Sequence, residues 1–208
     1  MKKLLLLLIL LPMLVTVAFS QDQDRGMRQD VNLSVMGVIQ PYVEGTTSPP
    51  IQQKSTLGLG LYLGYRYQLT PNGAVEANYS YSHFTNKFTA NAAGIYGSAR
   101  VYTGMQESTF AYVRTIPFKR FNPFLELGGG LLYFTPIGPK TTTYDTEQTS
   151  NPVVMVGGGV AYQLSPSWDL RVQYRGMILG TPDFGLSRFK TGRKYIMSEP
   201  AIGFAYHF

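Results

Sequence analysis

Ser80, Ser82 and His83 stand together in the chain, with Glu107 further on. A hydroxyl nucleophile needs a base within hydrogen-bond reach and a third group to orient that base. If this stretch is extended, adjacent Ser82 and His83 point to opposite faces, so they cannot form the pair. His207 has no partner legible near it and reads as structural. There is no cysteine and there are only two histidines. That removes thiolate metal sites, iron–sulfur clusters, disulfide scaffolds and cysteine nucleophiles together, and leaves little for metal chemistry or for a bound cofactor. The remaining residues with chemical potential are single charges set within apolar stretches: Arg66, Glu76, Glu126, Asp169, Arg171, Arg175 and Glu199. What they can do depends on the elements that carry them.

Those elements are strands. Charged residues make up 14 % of the 208-residue chain, against about 25 % in an ordinary soluble domain. Their place is taken by 15 Tyr, 12 Phe and 22 Gly, a mixture that suits extended structure. Leu57, Leu59, Leu61, Leu63, Tyr65, Tyr67 and Leu69 alternate with Gly58, Gly60, Tyr62, Gly64, Arg66 and Gln68, the period of a strand with one apolar face. The same pattern predicts eight strands, over 31–43, 57–69, 74–84, 103–116, 124–135, 152–164, 168–179 and 195–208. Short connections (70–73, 117–123 and 165–167) alternate with long ones (44–56, 85–102, 136–151 and 180–194). All long loops therefore lie at one end of an all-β, antiparallel, up-and-down sheet, with both termini at the other.

A soluble ligand-binding barrel turns large apolar residues inward. Here the polar face carries Arg66, Glu76, Asp169, Arg171 and Arg175 and cannot coat an apolar ligand, while a closed eight-stranded interior has little room for the Leu, Tyr and Trp face. Placing charge and glycine inside and the apolar face against lipid resolves the conflict, and lipid accepts strands only in a closed barrel. Aromatic residues near strand ends, among them Tyr65, Tyr81, Phe124, Phe134, Trp168 and Tyr195, fit interfacial girdles. The Gly128–Gly130 and Gly157–Gly159 triplets leave space for bulky side chains from opposite strands. In the fourth strand the facing stays open between Phe110, Tyr112 and Arg114 on one side and Thr109, Ala111, Val113 and Thr115 on the other.

The amino terminus has the layout of a cleaved secretory signal over residues 1–20: Lys2 and Lys3, an apolar run from Leu4 to Ala18, and small residues at Ala18 and Ser20. Residues 21–30 read as a flexible periplasmic lead-in and 31–208 as the barrel. The last strand ends in Gly203, Tyr206 and Phe208 with aromatics at alternate positions, a pattern similar to the carboxy-terminal signal read by bacterial barrel-assembly machinery. With the alternating strands, the mature chain resembles the OmpA/OmpX-type outer-membrane β-barrel family, without the peptidoglycan-binding domain of its larger members. The resemblance implies a monomeric eight-stranded barrel in a Gram-negative-type outer membrane, in contact with lipid and lipopolysaccharide and with the assembly machinery during insertion. It leaves function open, because members include adhesins, structural anchors, small conduits and a few lipid A-modifying enzymes.

Inside such a barrel the seven charges form either a self-neutralising plug or a path for ions and small solutes, and the narrow interior favours the plug. Basic loop residues, chiefly Arg188, Lys190, Arg193 and Lys194, could meet polyanions such as lipopolysaccharide phosphates or be ordinary solvated charge. Once Lys2 and Lys3 are discounted, sixteen basic residues face twelve acidic ones, and no basic cluster or motif points to nucleic acid. The expected function is a non-enzymatic structural or surface-interaction role through external loops, with a narrow conduit and then a lipid A-modifying enzyme as alternatives.

Overall fold

The computed structural model describes residues 29–46, 50–92, 95–137, 146–186 and 189–208, with only the backbone described over 90–97. Residues 1–28, which hold the expected signal peptide and most of the expected lead-in, lie outside the described residues. The strands are β1 (Gln29–Val38), β2 (Val43–Glu44), β3 (Ile51–Ser55), β4 (Gly58–Thr70), β5 (Gly73–Ala92), β6 (Ile95–Thr115), β7 (Phe121–Pro136), β8 (Thr149–Ser165), β9 (Trp168–Gly180) and β10 (Lys194–His207). Eight of them pair antiparallel in a ring: β1 with β4, then β5 to β10 in turn, and β10 back to β1. Closure leaves no edge along the wall below the Ile39–Ser198 bridge, as a lipid environment requires.

Several boundaries differ from the sequence expectation: β7 begins at Phe121 and β8 at Thr149, each earlier than expected, and the expected 44–56 connection carries β2 and β3. Asp30 lies in β1, paired with His207 and Arg66, and not in a flexible lead-in. β1 stops at Val38 instead of residue 43, shortly before Pro41, which has no N–H for the ladder and disfavours regular structure at the residue before it. The Ile39–Ser198 bridge is the last link across that seam. The expected 85–102 loop is paired strand, Thr85 with Tyr102 and Asn86 with Val101. Its Thr, Asn and Lys content resembles a loop, yet Phe84, Asn86 and Phe88 still alternate inward. β3 adds to this extended hairpin by pairing with β5 from Ile51–Ala90 to Ser55–Asn86.

Leu57, Leu59, Leu61, Leu63, Tyr65, Tyr67 and Leu69 face outward, while Tyr62 and Arg66 are buried inside. In β6 the inward set is Glu107, Thr109, Ala111 and Val113, and Phe110, Tyr112 and Arg114 face out. A charge in mid-strand is costlier against lipid than one near the interface, so Glu107 decides the facing over Arg114. Phe124, Phe134 and Tyr195 are buried in the lumen, which corrects their expected place in a girdle; each shares the inward parity of its strand. Trp168 and Tyr206 do face outward, their rings 5.0 Å apart beside the closing seam.

Candidate functional site

The inward ladder of β9 reads Asp169, Arg171, Gln173, Arg175, Met177 and Leu179 from the short-turn end upward, and all six are buried. It divides the lumen into a charged half and an apolar half. The charged half turns on Arg175, which is 0 % exposed. Its Nη1 and Nη2 donate to the two oxygens of Glu107, each at 2.8 Å, and Nη2 also donates to Glu199. Ser80 and Thr109 donate their hydroxyls to the same Glu107 oxygens at 2.7 Å, and the guanidinium lies 4.3 Å from the centre of the Tyr62 ring. Tyr62 in turn donates to Glu76 at 2.6 Å, and Arg66 donates to the second Glu76 oxygen. Arg171 donates to Asp30 at 2.9 Å, and the Phe124 ring lies under both Arg66 and Arg171 at 4.8 and 5.8 Å.

All seven lumen charges singled out from the sequence are therefore inside and buried. Glu107 and Asp30 join them, giving three Arg against six carboxylates among the described residues. Carboxyl groups thus outnumber guanidinium groups in the network, and neither oxygen of Glu126 has a hydrogen-bond partner among the described residues. The glycine triplet on β8 makes the room: a Cβ at Gly157 would lie 3.1 Å from Arg175 Cγ, and one at Gly159 would lie 2.8 Å from the tip of Phe124. Below the network a cavity of about 460 Å³ opens among the short turns, with Arg66, Arg171, Asp169, His207 and Phe124 in its lining. His207 does have partners: its Nε2 lies 2.8 Å from Asp169 Oδ2 and its Nδ1 4.0 Å from Asp30 Oδ2.

Above Arg175 the filling changes. Met155, Met177 and Met197 are directly paired across three strands, and with Met36, Met105, Leu132 and Phe134 they belong to one buried apolar cluster. The connection after β9 closes this cluster from above. Phe189 stacks on Phe88 with ring centres 4.3 Å apart, and Phe184 meets Phe88 edge-on. Phe184 holds a left-handed backbone (φ 51°), a strained geometry for a bulky residue that its complete burial supports.

The catalytic arrangement weighed from sequence does not assemble. Ser80 and Ser82 point inward, while His83 faces out and meets the edge of Tyr81. No cluster of three or more His, Asp or Glu able to hold a metal occurs among the described residues. Lys190, Arg193 and Lys194 are exposed, and Arg188 lies outside the described residues. Gly203 faces inward where a Cβ would run into the Leu33 carbonyl and the Ser34 side chain of β1, so at the closing seam only glycine lets β10 approach so closely. Tyr206 and Phe208 stack with ring centres 6.1 Å apart.

Residues 5–208 match the outer membrane protein beta-barrel domain. The chain belongs to this family. In such barrels the short turns face the periplasm and the long connections face outward, which puts the charged half of the lumen below the apolar half. Solved structures share the fold. OprG from Pseudomonas aeruginosa superposes with a TM-score of 0.62 at 13 % identity, covering 88 % of this chain and 97 % of that one. Neisserial surface protein A gives 0.53 at 13 % identity, over 86 % and 97 % of the two chains. AlkL, determined in lipid bilayers, gives 0.51 at 16 % identity, over 91 % and 93 %. No curated protein sequence matches the chain.

Proposed function

We propose that this protein is a non-enzymatic outer-membrane barrel with a structural and surface-interaction role, working through its external end while its lumen stays shut. The observation that carries the reading is closure at two successive levels. Arg175 spans the lumen between Glu107 and Glu199, and the fully buried Met105, Met155, Met177 and Met197 fill the space above it. A pore would need both layers to part, and the lower one holds charges that are costly to leave unpaired. Outside, the β5–β6 hairpin with β3 offers a hydrogen-bonded platform, and the exposed Lys190, Arg193 and Lys194 suit contact with lipopolysaccharide phosphates. The terminal Tyr206 and Phe208 serve insertion by the assembly machinery, and a signal peptide over residues 1–20 serves export.

Planar-bilayer recording of the refolded protein tests closure: silence is expected, and steady openings would refute it. Lipid A mass profiles of cells with and without the protein should coincide, whereas a modified species would reveal an enzyme. A narrow conduit is the second reading, favoured by the turn-end cavity that reaches Arg66 and Arg171.

A further inference from the structure

Because β1 ends at Val38 and β10 begins at Lys194, the upper part of β10 has no β1 partner beyond the Ile39–Ser198 bridge. The notch is walled by the returning chain at Tyr42 and Glu44 and leaves a groove of about 520 Å³ lined also by Arg193, Lys194, Ile196 and Ser198. Its two sides differ in chemistry. Ile196 and Tyr42 are more than half exposed and continue the apolar outer wall. Arg193 and Lys194 are exposed and form no ion pair among the described residues, with Glu44 as the opposing charge in the groove.

The height of this groove follows from the strand itself. From the girdle residue Tyr206 up to Ile196, β10 presents Phe204, Ile202, Pro200 and Ser198 outward. Those ten steps, at about 3.3 Å each and a tilt of about 40°, cover roughly 25 Å of membrane normal, the height of the apolar band of an outer-membrane barrel. Lys194 and Arg193 come next, at the level of outer-leaflet headgroups. Cations at that level beside an apolar notch match a ligand with an acyl body and an anionic phosphate head.

We infer that the β1–β10 notch is a binding site for a phosphate-bearing lipid of the outer leaflet, with Arg193 and Lys194 on the phosphate and the acyl chain along Ile196. The inference rests on the outer-membrane placement proposed above and narrows its external contacts to one groove. Arg supplies paired donors to the phosphate oxygens, Lys a point charge, and Glu44 limits the affinity by repulsion.

The test uses the whole protein in phosphatidylcholine nanodiscs, with bound lipid read by native mass spectrometry. Bisphosphorylated lipid A should be retained by the parent and dephosphorylated lipid A should not. The R193A/K194A double variant, altered only at exposed positions, should lose about tenfold or more in retention, the scale of removing charge-assisted hydrogen bonds. Glu44→Gln should raise retention, a gain that a non-specific effect of charge removal on folding would not give. Equal retention of the two lipid A forms, or of lipid A by parent and double variant, would overturn the site. Full competition by inorganic phosphate would overturn it as a lipid site. Membrane fractionation is read separately, so a protein found outside the outer membrane refutes the placement and not the binding chemistry.

Discussion

Arg175 and Met177 stand two residues apart on the same face of β9, and both are fully buried, yet different physics holds them. Arg175 is stable there only because Glu107 and Glu199 reach it from β6 and β10. Met177 needs only neighbours of the right shape, such as Met155 and Met197 on the strands beside it. The charged half of the lumen should therefore respond to loss of a partner and the apolar half to loss of volume. A narrow barrel can be filled in either way, but the two fillings tolerate different changes.

The largest effect is expected from Arg175→Ala, which leaves two carboxylates facing each other in a site closed to water. A loss of about 3–5 kcal/mol is the scale for breaking a buried pair, read from denaturant unfolding of the refolded barrel. Adding Glu107→Gln should restore part of that loss. If the single variant is as stable as the parent and conducts in a bilayer, the lower lumen is hydrated and the contrast between the halves collapses.

Next comes Met177→Ala, with a loss of about 2–5 kcal/mol from the methylene groups removed and the cavity they leave, measured by the same unfolding. Here no charge-removing substitution at a neighbour should rescue, because no charge has been stranded, whereas a larger apolar neighbour can refill the space. Rescue by a second polar change would contradict the shape-only account of this half.

A smaller effect is expected at Phe124, which belongs to the charged half without carrying charge. Phe124→Leu keeps an apolar filler but removes the ring under Arg66 and Arg171, a change of about 1–2 kcal/mol for desolvated cations. Equal stability of the variant and the parent would show that the ring acts as bulk alone. The smallest effect belongs to Met177→Leu, near in volume and chemistry, at under about 1.5 kcal/mol. A larger loss there would mean that the Met layer is shaped as strictly as the ion-pair layer.

Much of the wall was legible in the sequence, because the side-chain period of a strand is two and lipid tolerates no ambiguity of facing. Leu57 to Leu69 could be assigned without a partner in view. The inward set on β9 could too, since Asp169, Arg171 and Arg175 cannot face hydrocarbon. Glu107 was legible in principle: a mid-strand carboxylate outranks Arg114 at the strand end, but only once the strand is known to reach well above Thr103. Phe124, Phe134 and Tyr195 look like girdle residues by type, and their inward parity becomes evident only from their strand neighbours.

The alternation of polar and apolar residues and the turn chemistry at Pro71–Asn72 and Pro166 were enough to determine a closed antiparallel barrel with charge inside, since both follow from local geometry and the solvent on one face. Which charges meet was decided only by tertiary structure. Arg175 and Glu107 are 68 positions apart in the chain and Arg171 and Asp30 are 141 apart, and they face one another because closure and register carry β1, β6 and β9 around one narrow lumen. The same closure leaves the notch above Ile39, which depends on two strands at opposite ends of the chain stopping at different heights.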